Sequence, residues 1–231
     1  MIKQLKTFNH RIGQLKSKFQ KKRVNPSDYS STLGIGSIVP VQIEAYLLAL
    51  RKYIPENSSV LDVGFGLGYG LIISSVNARE VYGVDVDQKA LEYCNAYLFE
   101  KLPTLKAIQL YDGYNIPYPD NYFDIIVSVD VLEHVPDYHQ LLNEMMRVVS
   151  KGVFISTPNR RPEHCNPDGT PTNYWHLREW SDEELREILS AHGECDWNYI
   201  NGPFNGPFTI SDSVMDSTMA LSPFIYKSHK D

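Results

Sequence analysis

Hydrophobic positions alternate between helical and strand patterns from about residue 40 onward. Apolar residues recur every three or four positions in five segments, which predicts helices at 41–54, 69–76, 87–102, 135–149 and 182–192. Shorter runs are continuously apolar and β-branched, which predicts buried strands at 59–63, 80–84, 105–110, 124–129 and 152–156, with a short one at 224–226. This alternation indicates an α/β fold, a doubly wound, mostly parallel sheet with helices on both faces.

The first 28 residues follow a different pattern. Their apolar positions lie on one helical face, at Ile2, Leu5, Phe8, Ile12, Leu15 and Phe19. We therefore divide the chain into a basic amphipathic helix with its linker at 1–28, closed by Pro26, and a main domain at 29–231. The helix could pack on the main domain or a second subunit, lie on a membrane surface, or cover an anionic substrate.

Charge sharpens this division. The chain has a net charge of −6, yet residues 1–23 hold eight basic residues and no acid, so the remainder carries fourteen basic against twenty-eight acidic side chains. An acidic domain without a basic stripe makes a nucleic-acid partner unlikely. Three cysteines without C-x-x-C spacing favour a reducing compartment, and with neither a signal peptide nor a membrane-spanning run the expected location is the cytoplasm.

A glycine-rich turn follows the first predicted strand. Asp62 lies in that strand, and Gly64, Gly66 and Gly68 allow the backbone to approach a ligand closely. The dinucleotide fingerprint G-x-G-x-x-G fails here, because Tyr69 occupies the position of its last glycine. Two later acids end the next strands. Asp85 can accept from both hydroxyls of a ribose, and Asp112 with Gly113 is suited to an adenine amine.

Taken in order, these motifs resemble those of class I S-adenosylmethionine-dependent methyltransferases of the small-molecule or glycan type, over residues 40–195. The resemblance rests on 62–68, 81–85, 112–113 and 123–130. It implies a Rossmann-like, seven-stranded sheet ending in an antiparallel hairpin. It also implies that the three glycines line the methionine end of the cofactor, that Asp62 helps hold its amino group, and that the stretch ending at Asp130 borders the reactive methyl.

The candidate catalytic residues follow the fourth strand. Glu133 and His134 are adjacent at a predicted loop-to-helix junction, from which both can reach the mouth of the site. Together with Asp130 and His176, they resemble the metal sets of ubiquinone-biosynthesis O-methyltransferases and small-RNA 2′-O-methyltransferases, although Asp130 replaces a glutamate. Three interpretations stay open: a Mg²⁺ or Mn²⁺ site, a metal-free base at His134, or a structural Glu133 that caps a helix or pairs with Arg147 or Arg178.

The predicted function is O-methylation of a hydroxylated small molecule or sugar precursor. The polar loop 160–174, which includes Arg160, Arg161, Asn173 and Tyr174, and the Gly-Pro-Phe repeats at 201–208 suit a polyhydroxylated acceptor, and the arginines suit a phosphate. The alternatives are a quinone-type or N-methyltransferase at a membrane surface and a non-catalytic cofactor-binding subunit.

Overall fold

The structure is a computed structural model that describes residues 39–203 and 205–228. The predictions for the helix and linker at 1–28 lie outside the described residues. Five α-helices are described: α1 Pro40–Lys52, α2 Tyr69–Ser74, α3 Gln88–Tyr97, α4 Tyr138–Val148 and α5 Asp182–Leu189. The strands are β1 Ser59–Val63, β2 Glu80–Asp85, β3 Leu105–Leu110, β4 Phe123–Val129, β5 Val149–Pro158, β6 Cys195–Asp196, β7 Tyr199–Asn201, β8 Thr209–Ser211, β9 Thr218–Leu221 and β10 Phe224–Tyr226.

Five parallel strands form the centre of the sheet, in the order β3-β2-β1-β4-β5. The chain runs outward from β1 to β3 and then returns to place β4 on the other side of β1. The strand order therefore reverses between β1 and β4, which is where α/β sheets bind ligands at the carboxyl ends of their strands. The expected α/β fold is confirmed, and both the glycine turn and the segment after β4 lie at this reversal.

The remaining strands are short and antiparallel. The two halves of β5 have different partners, since Gly152–Phe154 pairs with β10 and Thr157–Pro158 pairs with β9. The described residues thus form ten strands rather than the seven implied by the resemblance. Segments of two to four residues, separated by glycine, proline and polar positions, are too short to show a period in the sequence, which is why β6 to β9 were not predicted.

Helix boundaries shift where capping residues override the apolar pattern. Helix α4 begins at Tyr138 rather than at Val135. Pro136 interrupts the helical pattern, and the side chain of Asp137 caps the helix by accepting from the amide of Gln140. The shift leaves Leu132–His134 as a separate 3₁₀ turn. Among the helices described, none is both long and apolar enough to cross a bilayer.

Candidate active site at the strand reversal

The glycine turn between β1 and α2 is hydrogen-bonded to the carboxyl group of Asp85. Gly66 adopts a left-handed φ of 48°, and its amide donates to Oδ2 of Asp85 at 2.7 Å. Gly68 caps α2 with a φ of 80°, and a Cβ there would overlap the side chain of Leu98. Glycine is therefore needed for the conformation of this turn, and without side chains its backbone amides stay accessible to a ligand.

Asp85 and Asp112 are held in different ways. Asp85 is 5% exposed and accepts from the amides of Gly66 and Asp87, and burial is the largest cause of a raised pKa. Asp112 is exposed, and its oxygens accept from the amides of Tyr114 and Asn115 and from the Asn115 side chain. The carboxylate of Asp85 faces the glycine turn, whereas that of Asp112 is engaged by its own loop, so an adenine contact there stays a prediction.

Asp62 lies fully buried beneath the turn. Its Oδ1 accepts from the hydroxyl of Tyr46 in α1 at 3.4 Å, while Oδ2 has no side-chain or backbone hydrogen-bond donor in the part of the chain described. Burial, together with the nearby charge of Asp85, raises the pKa of Asp62 to about 8. Such a carboxyl group is poised to ionise when a cation binds.

Helix α1 also holds Asp130, the residue after β4. Asp130 has a left-handed φ of 52°, donates its amide to Ser156, and accepts from the side chain of Gln42 at 2.8 Å. Burial raises the pKa of Asp130 to about 6, despite the opposing hydrogen bond from Gln42 and the neighbouring His176. Gln42 and Tyr46 are four residues apart on one face of α1, so one helix orients two acids of the site.

Glu133 lies in the 3₁₀ turn and is fully buried. Its Oε2 accepts from the hydroxyl of Thr157 at 3.1 Å, and its Oε1 has no hydrogen-bond partner among the described residues. Burial and the charge of Asp130 raise its pKa well above the ordinary value. The alternative that Glu133 pairs with Arg147 or Arg178 is wrong: Arg147 binds Glu144 and Asp120, and Arg178 donates to the carbonyls of Val135 and Pro136.

His134 has a defined tautomer. Its Nδ1 lies 2.7 Å from the carbonyl oxygen of Trp175, which can only accept, so Nδ1 carries the proton. Its Nε2 is then an unprotonated nitrogen, 4.0 Å from Oε1 of Glu133. Burial lowers the pKa of His134, which favours the neutral ring. A nitrogen lone pair and a buried carboxyl oxygen thus face the same space.

His176 is tied at both nitrogens. Its Nδ1 donates to Oε1 of Glu179 at 2.6 Å, and its Nε2 accepts from Nδ2 of Asn173 at 2.8 Å. The orientation of the Asn173 amide is fixed, because its Oδ1 accepts from the amide of Trp175. The ring packs edge-on against His134 with centroids 5.0 Å apart.

The four predicted metal ligands come together only in part. One donor atom from each of Glu133, His134 and His176 lies within 4.8 Å of the others, but Asp130 is outside this cluster and bonded to Gln42. A metal ion would need a free lone pair on each ligand, about 2.0–2.2 Å from the ion. His176 offers none, so the arrangement does not fit a resident metal ion.

Comparison with known proteins shows which proteins this part of the chain resembles. Residues 61–156, which span the glycine turn through β5, match the family described as "Methyltransferase domain". A probable S-adenosylmethionine-dependent methyltransferase of Mycobacterium tuberculosis is 34% identical over 150 residues, covering 64% of this chain and 52% of that protein. The chain is therefore similar to S-adenosylmethionine-dependent methyltransferases over the part that carries the glycine turn and the strands around it.

Two further proteins resemble this chain in sequence or in fold. A ubiquinone biosynthesis O-methyltransferase of Nitrosomonas europaea is 32% identical over 112 residues, covering 47% of each chain. The solved structure of a methyltransferase from Aquifex aeolicus has a TM-score of 0.62 at 17% identity, covering 89% of this chain and all of that one, and shares the fold. The chain spans about half the length of the curated relatives that it matches.

The structure also has an open groove beyond β5. Six residues line its volume of about 640 Å³: Arg161, His164, Gly202, Pro203, Ser217 and Met219. Of the two arginines predicted to suit a phosphate, Arg160 pairs with Glu184 and Arg161 with Glu163. Both charges are therefore balanced locally, so the groove offers polar contacts rather than a net positive charge.

Sequence reasoning missed several residues that shape this candidate site. Gln42 and Tyr46 were part of a predicted helix, and their spacing of four was the available signal. Glu179 stands three residues after His176, a spacing that could have suggested a carboxylate–histidine pair. The carbonyl of Trp175 had no signal at all, since a backbone contact does not depend on residue type.

Proposed function

We propose that this protein transfers a methyl group from S-adenosylmethionine to a hydroxyl oxygen of a small hydroxylated molecule, with His134 as the general base. The observation that carries the proposal is the free Nε2 of a neutral His134 facing Oε1 of a buried Glu133 at 4.0 Å. A hydroxyl oxygen can lie at hydrogen-bond distance, about 2.8 Å, from both atoms at once.

The acids around the glycine turn support a cationic cofactor. Asp62, Asp85 and Asp130 all have raised pKa values, largely because they are buried, and Oδ2 of Asp62 has no donor among the described residues. A bound cation relieves this unfavourable burial of negative charge, whereas an anionic dinucleotide would increase it. Asp62 would hold the amino group, Asp85 the ribose, and the glycine turn the methionine end.

The protein's own part in the reaction is alignment and proton transfer. When bound, S-adenosylmethionine supplies an electrophilic methyl group on a sulfonium sulfur. Glu133 and His134 orient the acceptor hydroxyl, and its proton passes to Nε2 as the new oxygen–carbon bond forms and the sulfur–carbon bond breaks. The hydrogen bond from Nδ1 to the Trp175 carbonyl stabilises the resulting imidazolium.

A metal is unnecessary for this mechanism, and the engagement of both His176 nitrogens argues against one. The test is release of S-adenosylhomocysteine with an acceptor panel of catechols, free sugars and nucleotide sugars, each with EDTA and with added Mg²⁺ or Mn²⁺. Turnover that is indifferent to EDTA and lost in His134→Gln supports the proposal. Turnover that EDTA abolishes and metal restores would refute the metal-free mechanism.

The same assay separates the other candidate functions. The name of the Nitrosomonas relative favours phenolic acceptors as one arm of the panel. Turnover of an amine instead of a hydroxyl would point to N-methylation. A non-catalytic subunit would bind S-adenosylmethionine without turning over any acceptor, and His134→Gln would leave its properties unchanged.

A further inference from the structure

The hydrogen bond that fixes the tautomer of His134 is made to a backbone group, the carbonyl of Trp175. Nδ1 of the ring lies 2.7 Å from this oxygen, while Nε2 lies 4.0 Å from Oε1 of Glu133, a buried atom with no hydrogen-bond partner among the described residues. A neutral histidine carries one ring proton, and these two oxygens compete for it. If the proton moved to Nε2 and faced Glu133, the ring would lose its free lone pair there. The position of the Trp175 carbonyl therefore decides whether His134 can act as a base.

The peptide group that joins Trp175 to His176 is held from its other side. Its N–H, the amide of His176, donates to the carbonyl of Asn173 at 3.1 Å. The C=O and N–H of a trans peptide point in opposite directions, so this bond directs the Trp175 carbonyl away from Asn173 and towards His134. The amide of Trp175 donates to Oδ1 of Asn173, also at 3.1 Å. Asn173 thus binds two consecutive N–H groups and so sets the direction of the carbonyl.

Asn173 is itself exposed, and its side chain is held by His176. Nδ2 of Asn173 donates to Nε2 of His176 at 2.8 Å, which leaves Oδ1 to face the amide of Trp175. Water competes for hydrogen bonds at an exposed site, so each such bond stabilises only modestly by itself. The orientation of Asn173 therefore depends on how firmly the imidazole of His176 is fixed.

His176 connects this exposed turn to the protein interior. Its side chain is 11% exposed, and its Nδ1 donates to Oε1 of the buried Glu179 at 2.6 Å. Hydrogen bonds to a charged group are about twice as strong as those between neutral groups. Because a carboxylate can only accept, it keeps the proton of His176 on Nδ1 and leaves Nε2 to accept from Asn173. The direction of each hydrogen bond in the turn thus follows from Glu179 outward.

We propose that Asn173 and His176 are positioning residues, which act through the Trp175 carbonyl to keep the free lone pair of His134 on Nε2. We call the hydrogen-bonded series Glu179, His176, Asn173 and Trp175 the relay. Its role does not require contact with the acceptor or the cofactor. The catalytic importance of the lone pair rests on the proposed function, whereas the link between the relay and the tautomer does not.

Nitrogen-15 NMR of the full chain, labelled at histidine and without ligand, tests this link. A protonated and an unprotonated ring nitrogen have widely separated chemical shifts, so the spectrum reports the tautomer of each ring. The chain has seven histidines, and the signals that His134→Gln removes are those of His134. We compare wild type with Asn173→Ala and with His176→Phe, which keeps a ring beside His134 but removes both side-chain hydrogen bonds.

The matched control is Asn166→Ala. Asn166 is an exposed asparagine of the same segment between β5 and α5, and its amide donates to the Thr170 side chain and the Pro171 carbonyl. The substitution therefore removes two hydrogen bonds of a loop asparagine without touching the relay. A thermal melt of each variant verifies that it is folded.

We expect a protonated Nδ1 and an unprotonated Nε2 at His134 in wild type and in Asn166→Ala. In Asn173→Ala and in His176→Phe, we expect the ratio of the Nε2–H to the Nδ1–H tautomer of His134 to rise about 2- to 10-fold, the change produced by loss of one neutral hydrogen bond. An unchanged ratio in either variant, or an equal rise in Asn166→Ala, would overturn the relay.

The same spectra keep the two proposals distinguishable. A proton on Nε2 of His134 in the wild type would contradict both, since the base would then lack its lone pair. If the tautomer ratio shifts as expected but His134→Gln keeps full turnover of the acceptor panel, the proposed function fails and the relay stands.

Discussion

Replacing Asp62 by asparagine should change how the stability of the ligand-free protein depends on pH. Asp62 is fully buried, and its pKa in the folded protein is about 8 against an ordinary value of 3.8. Between these two values the folded state holds a proton that the unfolded state has released. The wild-type free energy of unfolding should therefore fall as the pH rises from about 4 to 8.

The size of this effect follows from linkage. A single proton difference changes the free energy of unfolding by at most about 1.4 kcal/mol per pH unit. An asparagine side chain does not titrate, so the variant lacks this contribution. The new amide adds buried N–H groups at a position where Oδ2 has no hydrogen-bond partner among the described residues, and leaving them unpaired costs about 1–3 kcal/mol at every pH. The informative quantity is thus the slope of the difference between variant and wild type, not its offset.

Urea unfolding at pH 5, 6, 7 and 8 measures that slope. We expect the stability of Asp62→Asn relative to wild type to rise with pH, and the wild-type slope to shrink when S-adenosylmethionine keeps Asp62 ionised. Asp124→Asn is the contrasting control, because hydrogen bonds from Ser59 and Lys151 lower the pKa of Asp124 despite burial. Its stabilising contribution should be lost only as the pH falls below about 4. If the free energy of unfolding of Asp62→Asn, relative to wild type, stays constant or falls as the pH rises, our account of this carboxyl group is refuted.

Three further changes test the site and its support. His134→Gln should lower turnover about 10²- to 10⁴-fold without affecting S-adenosylhomocysteine binding measured by calorimetry, and unchanged turnover would exclude His134 as the base. Gly68→Ala should abolish S-adenosylhomocysteine binding. The control is Gly169→Ala, which has a similar φ of 84° and nothing within 4 Å of the added Cβ, and it should preserve binding. Equal binding by the two variants would contradict the turn geometry. Ser181→Ala removes the capping box of α5 and should lower the free energy of unfolding, measured by urea titration, by about 1 kcal/mol. An unchanged free energy of unfolding would show that the cap does not stabilise the helix.

The sequence predicted the elements whose side chains carry a long apolar period. Strands β1 to β4 begin and end within a residue of the prediction. Strands β1, β2 and β4 are almost wholly buried, which demands apolar residues nearly throughout, whereas β3 lies at the edge of the parallel sheet and is partly exposed. Ser181 and Glu184 form a capping box at the start of α5, and their spacing of three is one that sequence alone can signal. The antiparallel strands beyond β5 were missed, since two to four residues do not make a period, and their pairing depends on partners far along the chain.

The chemistry of the site depended on contacts that the sequence does not encode locally. The spacing of Asp130, Glu133 and His134 offered all three as candidate metal ligands, with Asp130 standing where the resembling families have a glutamate. In the structure a hydrogen bond from Gln42, 88 residues away, engages Asp130. Likewise, the carbonyl of Trp175, 41 residues beyond His134, decides which nitrogen of that ring is free. A motif can name the residues of a site, but it does not show what else those side chains bind. The hydrogen bonds at each ring nitrogen decide whether a histidine can act as a base, bind a metal or only hold its neighbours in place. For this chain those partners favour a base at His134 and a support at His176.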